Sequence, residues 1–318
     1  MIKITTSKKS SNPKYIYGPV PSRRLGYSLG IDVVPFKTCT YNCIYCQLGH
    51  TTHLTNRRKN YVSEKALIAE LKEVLKQKIK IDCITFSGSG EPTLYKNLGR
   101  LIKKIKTFTD IPVAVITNSS LLSNPAVQKN LMGADVVLPT LTTTDERTFK
   151  KIHRPLAKIR AKKVIGGLIN FRKKYPGKIY LELMLIKGFN DSPEEILKLK
   201  EAIARIKPDK VHLNTVVRPP SEDYAQPLKM QDLNQIKRMI SGPSEVVAEF
   251  KKEINVAKIK DKRDLILRYL QRRPGTRKDI SKSLGVNENE LIKDLAQLWR
   301  AGKIRKKKYG GVVYYERI

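Results

Sequence analysis

Three of the chain's four cysteines crowd into the stretch Pro35-Phe36-Lys37-Thr38-Cys39-Thr40-Tyr41-Asn42-Cys43-Ile44-Tyr45-Cys46. The C-x3-C-x2-C spacing puts three thiols on one loop, near enough to grip a single small inorganic body. Thiolates are soft ligands that favour iron–sulfur clusters or zinc. A cubane of four irons held by three thiolates keeps one iron free of protein ligands, and an outside molecule can chelate it. A structural zinc site wants a fourth protein ligand, for which Cys83, His50 and His53 are the candidates. Cys83 lies in an apolar run and reads more simply as a small core residue. Four cysteines in 318 residues make no disulfide framework.

Other polar segments follow apolar runs in the same way. In Ser87-Gly88-Ser89-Gly90-Glu91-Pro92-Thr93, glycines would let backbone carbonyls approach an ammonium while a carboxylate neutralises it. The plain alternative is a turn. Thr117-Asn118-Ser119-Ser120 carries hydroxyl and amide groups suited to a ribose or a carboxylate, or it is a loop leading to a helix cap at Asn124-Pro125. Lys187-Gly188-Phe189-Asn190-Asp191 is either a further ligand loop through Asn190 or a polar strand-to-helix turn.

These loops need a frame. Strands are expected at Gly30–Val34, Cys83–Phe86, Val113–Thr117, Asp135–Leu138, Ile179–Ile186 and Val211–Val216, each rich in Val, Ile and Leu without strict alternation. Helical patterns separate them at Ser63–Lys78, Lys96–Lys106, Asn124–Met132 and Ser192–Ile206. Asp145–Lys174 reads as two helices broken near His153-Arg154-Pro155. Strand followed by helix, repeated, implies an α/β fold: a parallel sheet curved into a partial (β/α)6 TIM-like barrel, with ligands at the strand ends. Residues 256–262 read as a linker between a barrel unit, 1–255, and a small unit, 263–318. The latter shows helices at Leu265–Leu270, Thr276–Leu284 and Asn287–Arg300 and a hairpin around Gly310-Gly311, the order of a winged helix.

Cys39, Cys43 and Cys46, with Tyr45 before the last of them, resemble the signature of the radical S-adenosylmethionine (SAM) enzymes. The resemblance covers most of residues 15–225. It implies a [4Fe–4S] cluster on those three cysteines, its fourth iron chelated by the methionine end of SAM. An electron from a reductant protein of flavodoxin or ferredoxin type would cleave SAM to a 5′-deoxyadenosyl radical that abstracts a substrate hydrogen. Tyr45 would pack against adenine, and Ser89, Gly90 and Glu91 would hold the methionine amine. Thr117, Asn118, Ser119 and Asn190 would contact the cofactor's carboxylate or ribose. Gly18-Pro19-Val20-Pro21-Ser22-Arg23-Arg24-Leu25-Gly26 and Leu213-Asn214-Thr215-Val216-Val217-Arg218-Pro219-Pro220 are similar to a branch containing the wybutosine-pathway enzyme that modifies tRNA. That enzyme is expected to use three more cysteines for a second cluster. Only Cys83 is left over here, which argues against an identical reaction.

The substrate is less visible. Lys and Arg total 63 against 29 Asp and Glu, a net +34, of which residues 262–318 carry +10. Such a field attracts polyanions, RNA or tRNA among them, although solvated lysine faces would look the same. Lys306, Lys307 and Lys308 offer a basic hairpin strand, yet Glu288, Glu290 and Asp294 on the preceding helix count against major-groove reading. Arg23, Arg24, Arg218 and Glu222 are charged groups expected near the barrel mouth, as substrate contacts or as structural ion pairs. Three readings follow: a radical enzyme modifying RNA, one acting on a peptide, protein or small metabolite, and a non-enzymatic metal-binding nucleic-acid regulator. No substrate-side catalytic residue can be named. The polar opening and the lack of a long apolar run lead to an expected cytoplasmic location without membrane contact.

Overall fold

A computed structural model describes residues 15–77, 79–240, 242–247 and 262–318. Its central sheet has eight strands in the order β1-β2-β5-β6-β7-β8-β9-β10. Chain order begins with the antiparallel pair β1 (Ile16–Ser22) and β2 (Gly26–Ile31), then a short pair β3 (Thr38–Cys39) and β4 (His53–Leu54) outside the sheet. The repeating part is α1 (Glu64–Leu75), β5 (Cys83–Phe86), α2 (Leu98–Ile105), β6 (Val113–Thr117), α3 (Pro125–Leu131) and β7 (Val136–Leu141). It continues through α4 (Glu146–His153), α5 (Ala161–Lys174), β8 (Lys178–Leu185), α6 (Pro193–Ile206), β9 (Lys210–Thr215), α7 (Met230–Met239) and β10 (Ser244–Val246). From β2 to β10 every pairing is parallel, and the order does not close on itself, so the α/β fold is an open, partial barrel.

Local chemistry explains the helices. Ser63 caps α1 through Ala66 N, and Leu67, Ile68 and Leu71 form its buried face, each worth about 1.5–3 kcal/mol of burial. Asn124 and Ser192 cap α3 and α6 ahead of Pro125 and Pro193 at the first-turn position, where a missing N–H matters least. The expected break after α4 is found at Arg154, which is left-handed (φ 42°) ahead of Pro155.

The sheet departs from expectation at its edges. The first parallel strand lies at Gly26–Ile31 rather than Gly30–Val34, because its partner β5 ends at Phe86, opposite Ile31. Its hairpin partner β1, not among the expected strands, carries Pro19 and Pro21; prolines are tolerated on an edge strand such as this one. α7 and β10 also went unread: α7 buries only Leu233 and Ile236, and β10 has three residues.

Beyond Val247 the description resumes with α8 (Lys262–Arg272), α9 (Arg277–Leu284), α10 (Glu288–Arg300) and a hairpin of β11 (Ile304–Tyr309) and β12 (Val312–Arg317). The linker expected at 256–262 lies outside the described residues except for Lys262. These helices gather an apolar cluster of their own around Ile266, Leu270, Ile280, Leu291 and Leu295. Val20 of β1 packs against it, so this unit rests on the antiparallel edge of the sheet.

Candidate active site

The cysteine loop crosses the C-terminal ends of the strands, held from two sides. Asn42 N and Ile44 N donate to the carbonyls of His153 and Ile152 at 2.9 Å, at the end of α4. Ser221 Oγ, beyond β9, donates to the carbonyls of Cys43 (2.7 Å) and Ile44 (2.9 Å). The backbone of the cysteine loop is therefore pinned from a helix end and from a loop distant in sequence. Asn118 Nδ2 donates to Cys39 Sγ at 3.4 Å. His153 Nδ1 lies 3.1 Å from Cys43 Sγ, and its Nε2 is 2.7 Å from Thr142 Oγ1. With the Thr142 hydroxyl donating to Nε2, the Nδ1–H points at the sulfur.

Burial pushes the Cys39 thiol up to about 12, with nearby Glu91 adding to the effect. Cys43 is raised well above the usual thiol range by burial and by Cys39 and Cys46, and burial raises Cys46 as well. Such a trio ionises readily only around a cationic body, which is what an iron cluster provides. Among the described residues no three His, Cys, Asp or Glu converge tightly enough for a single metal ion. The three thiols line one cavity. Cys83 packs with Ala114 and Leu138, and neither it nor His50 or His53 lines that cavity.

The cavity holds about 840 Å³ and is lined by Cys39, Cys43 and Cys46 together with Ser89, Gly90, Glu91, Thr117, Asn118 and Tyr45. Glu91 is 2 % exposed and accepts from Thr93 N (3.0 Å), Thr93 Oγ1 (2.5 Å), Thr117 Oγ1 (2.7 Å) and Asn118 N (2.7 Å). Burial still raises its carboxyl above the usual range. It makes no ion pair with a described Lys or Arg, so a ligand ammonium suits it. Gly90 answers to a closer neighbour than any ligand: a Cβ there would lie 1.9 Å from the Thr38 carbonyl oxygen. Ser89 N donates to Asp32 Oδ1 at 3.2 Å, and its hydroxyl donates to Asp32 Oδ2.

Two expected contacts lie elsewhere. Ser119 is fully buried and bonds the Thr140 carbonyl at 2.8 Å. Asn190 is equally buried and clamps Met184 O, Thr142 O and Ile186 N, the work of a strand-to-helix turn. Sequence reasoning missed Tyr41, on this cavity wall, whose buried hydroxyl has no hydrogen-bond partner among the described residues, as well as His153 and Asp32. Only Tyr41 carried a signal, its place inside the cysteine motif.

The C-terminal unit roofs the cavity. Leu265, Arg268, Tyr269, Arg272 and Arg273 of α8 and its following turn line it, with Ser283 and Leu284 of α9. Arg272 lies 4.4 Å above the Tyr17 ring, and Tyr17 Oη is 2.7 Å from Ser87 Oγ. The hairpin docks on the loop after β9: Tyr309 and Tyr314 hydroxyls donate to the carbonyls of Val216 and Val217 at 3.1 Å. Lys307 pairs with Asp223 at 2.9 Å and Lys306 lies 4.2 Å over Trp299, so two of the three hairpin lysines are engaged. At the mouth, Arg24 pairs with Glu182 and Arg154 with Glu222, leaving Arg23 and Arg218.

The radical SAM superfamily model matches residues 33–200, more than half of the chain. The chain belongs to the radical SAM superfamily. Members of that superfamily use a [4Fe–4S] cluster and SAM, so this is a radical SAM enzyme by family, and the thiol-lined cavity fits such a group. A UPF0026 protein of Methanocaldococcus jannaschii is 33% identical over 94% of this chain and 94% of its own length. A Brachyspira hyodysenteriae protein named GTPase Obg is 40% identical over 97% of this chain, which spans only 46% of that relative. A probable dual-specificity RNA methyltransferase RlmN of Thermotoga petrophila is 29% identical over 68% of this chain and 62% of its own. Among solved structures, TYW1 with a lysine-pyruvate adduct bound superposes with TM-score 0.52 at 18% identity, covering 67% of this chain and 72% of its own; that likeness shows the fold. Among the described residues of this radical SAM enzyme, no helix is long and apolar enough to cross a membrane.

Proposed function

We propose that residues 1–255 reductively cleave SAM on a [4Fe–4S] cluster held by Cys39, Cys43 and Cys46, under the roof that residues 263–318 supply. One observation carries the reading: three thiols from one loop and the buried Glu91 from the next strand end, which pairs with no Lys or Arg among the described residues, share a single cavity. When bound, these cofactors supply a one-electron cleavage of the sulfonium that yields methionine and a 5′-deoxyadenosyl radical, which takes a hydrogen atom from substrate.

The chain's own residues orient and insulate. Glu91 accepts the cofactor's ammonium while Thr93, Thr117 and Asn118 hold its carboxylate in place. Asn118 and His153 donate to the ligand sulfurs, which spreads thiolate charge. Tyr45 offers an aromatic face, Tyr41 a spare hydroxyl, and the α8 roof keeps water out. The electron comes from outside, from a flavodoxin- or ferredoxin-type reductant.

RNA as substrate is supported by the +34 charge and by similarity to a probable RNA methyltransferase. The roofed cavity favours a smaller molecule. Anaerobic reconstitution with iron, sulfide and SAM, assayed for 5′-deoxyadenosine with and without bulk tRNA, tests both. Cleavage dependent on the three cysteines supports the enzyme, and stimulation by tRNA supports RNA. Zinc in place of iron, or no cleavage under strong reductant, would reject the proposal.

A further inference from the structure

The cavity wall carries more positive charge than its protein neighbours neutralise. Arg24 pairs with Glu182, Arg268 with Asp264 and Arg272 with Asp32. Arg23, Arg218 and Arg273 line the same cavity and pair with no carboxylate among the described residues. Their contacts are few, long and neutral. Arg23 donates to Val247 O at 3.3 Å and Asn214 Oδ1 at 3.4 Å. Arg218 reaches Gln47 Oε1 at 3.5 Å, and its buried Nε has no partner. Arg273 donates to Ser283 Oγ at 3.2 Å and lies 4.7 Å over the Tyr269 ring. Each guanidinium has five N–H donors, so most are unused. The nearest acids are engaged elsewhere: Glu182 by Arg24 and Asn214, Asp279 in the cap of α9.

Gathering these cations works against folding. Burial together with Arg218, Arg24 and Arg273 lowers Arg23 to about 10, and burial together with Arg273 lowers Arg218. A ligand that brings negative charge would reverse that penalty.

We infer that Arg23, Arg218 and Arg273 bind the phosphate-ester group of a small-molecule substrate, at the junction where the C-terminal roof meets the barrel. The inference rests on the radical SAM reading for calling that molecule a substrate. A phosphate monoester carries about −1.5 to −2 charge at neutral pH and three acceptor oxygens, matching three unpaired forks better than one carboxylate does. About 840 Å³ is the scale of a small-molecule pocket, roughly 300–1,000 Å³, and residues of α8 and α9 form part of its wall. Arg273 belongs to the roof, and Arg23 and Arg218 to the barrel, so the bound phosphate would also tie the two units together.

Calorimetric titration of the full chain with inorganic phosphate at low ionic strength reads the site directly. Saturable binding that weakens about tenfold or more in each of Arg218→Gln and Arg273→Gln is the expected result. Arg273→Lys, which keeps charge without the fork, should bind with intermediate strength. Both glutamine variants should melt at or above the wild-type temperature, since they remove repulsion. No saturable binding, or binding equal in wild type and variants, overturns the inference. So does an RNA octamer that binds more tightly than phosphate and is lost with the same arginines, which would move the site to nucleic acid. SAM affinity falling in parallel would assign the arginines to the cofactor's carboxylate and overturn it too. Phosphate binding needs neither iron nor reductant, so its failure and a failure of SAM cleavage are read separately.

Discussion

Arg272 Nε in the roof lies 3.5 Å from Asp32 Oδ2 beyond β2, and both side chains are buried. Asp32 in turn accepts from Ser89, so the roof reaches the glycine loop beside Glu91 through one carboxylate. Arg272→Met leaves Asp32 buried without its cation, a change that typically costs about 3 kcal/mol. Chemical denaturation should show that loss, and adding Asp32→Asn should recover part of it. SAM titration should show weaker binding in the single variant, because Asp32, the acceptor that holds Ser89, loses the cation that fixes it. Unchanged stability and SAM affinity would mean the roof does not support the loop.

The four cysteines should separate cleanly. Alanine at Cys39, Cys43 or Cys46 should abolish iron retention after anaerobic reconstitution. Cys83→Ala should retain full iron and lose only ~1 kcal/mol of stability, since Cys83 packs with Ala114 and Leu138. Iron analysis beside a denaturation curve decides it.

His153 approaches Cys43 Sγ at 3.1 Å, and burial holds its pKa at about 3, so the ring is neutral. A neutral N–H donor to a ligand sulfur stabilises the more negative, reduced state of a cluster. His153→Leu should therefore keep its iron yet shift the midpoint potential downward, as read by EPR-monitored redox titration. An unmoved potential would assign His153 to packing alone.

Much of this centre was legible in the sequence, because its ligands sit on one loop and its frame repeats. Three thiols in C-x3-C-x2-C and polar segments after successive apolar runs already put the cysteine loop and Glu91 at the same end of the sheet. What stayed hidden depends on pairings across long sequence separations. Asp32 meets Ser89 and Arg272 only after the sheet and roof have formed, and Arg273 means nothing until α8 lies over the strand ends. Asn190 misled because a polar residue after a strand serves a turn as readily as a ligand, and here it closes the turn. The edge strand β1, with its prolines, is not among the expected strands.

Glu91 provides a sharper test of the cofactor pocket. Its carboxylate accepts four hydrogen bonds and makes no ion pair with a Lys or Arg among the described residues. Glu91→Gln removes the charge and aims an amide N–H₂ at donors, which should lower stability by about 1–3 kcal/mol. SAM affinity should fall by at least about tenfold, as expected when an ammonium loses its counter-ion. Retained affinity would move the ammonium site elsewhere.

Acid sensitivity of the fold should trace in part to His212, at the start of β9 and far from the thiols in sequence. Its side chain is 1 % exposed, with Nε2 3.0 Å from Glu245 and Nδ1 without a partner among the described residues. Burial, then Arg24, holds its pKa down to about 4, outweighing the attraction of the half-exposed Glu245; Lys210 pushes the same way and Glu182 opposes. The unfolded imidazole takes its proton near 6.5, the folded one only near 4. Between those values the unfolded state binds the extra proton, so stability is full above pH 6.5 and declines as the pH falls toward 4. The decline from this residue should be on the order of 1 kcal/mol between neutral pH and pH 5. Urea unfolding of metal-free protein across that range should show it, and His212→Phe should flatten the slope. An identical slope in the variant would assign the acid sensitivity to other groups.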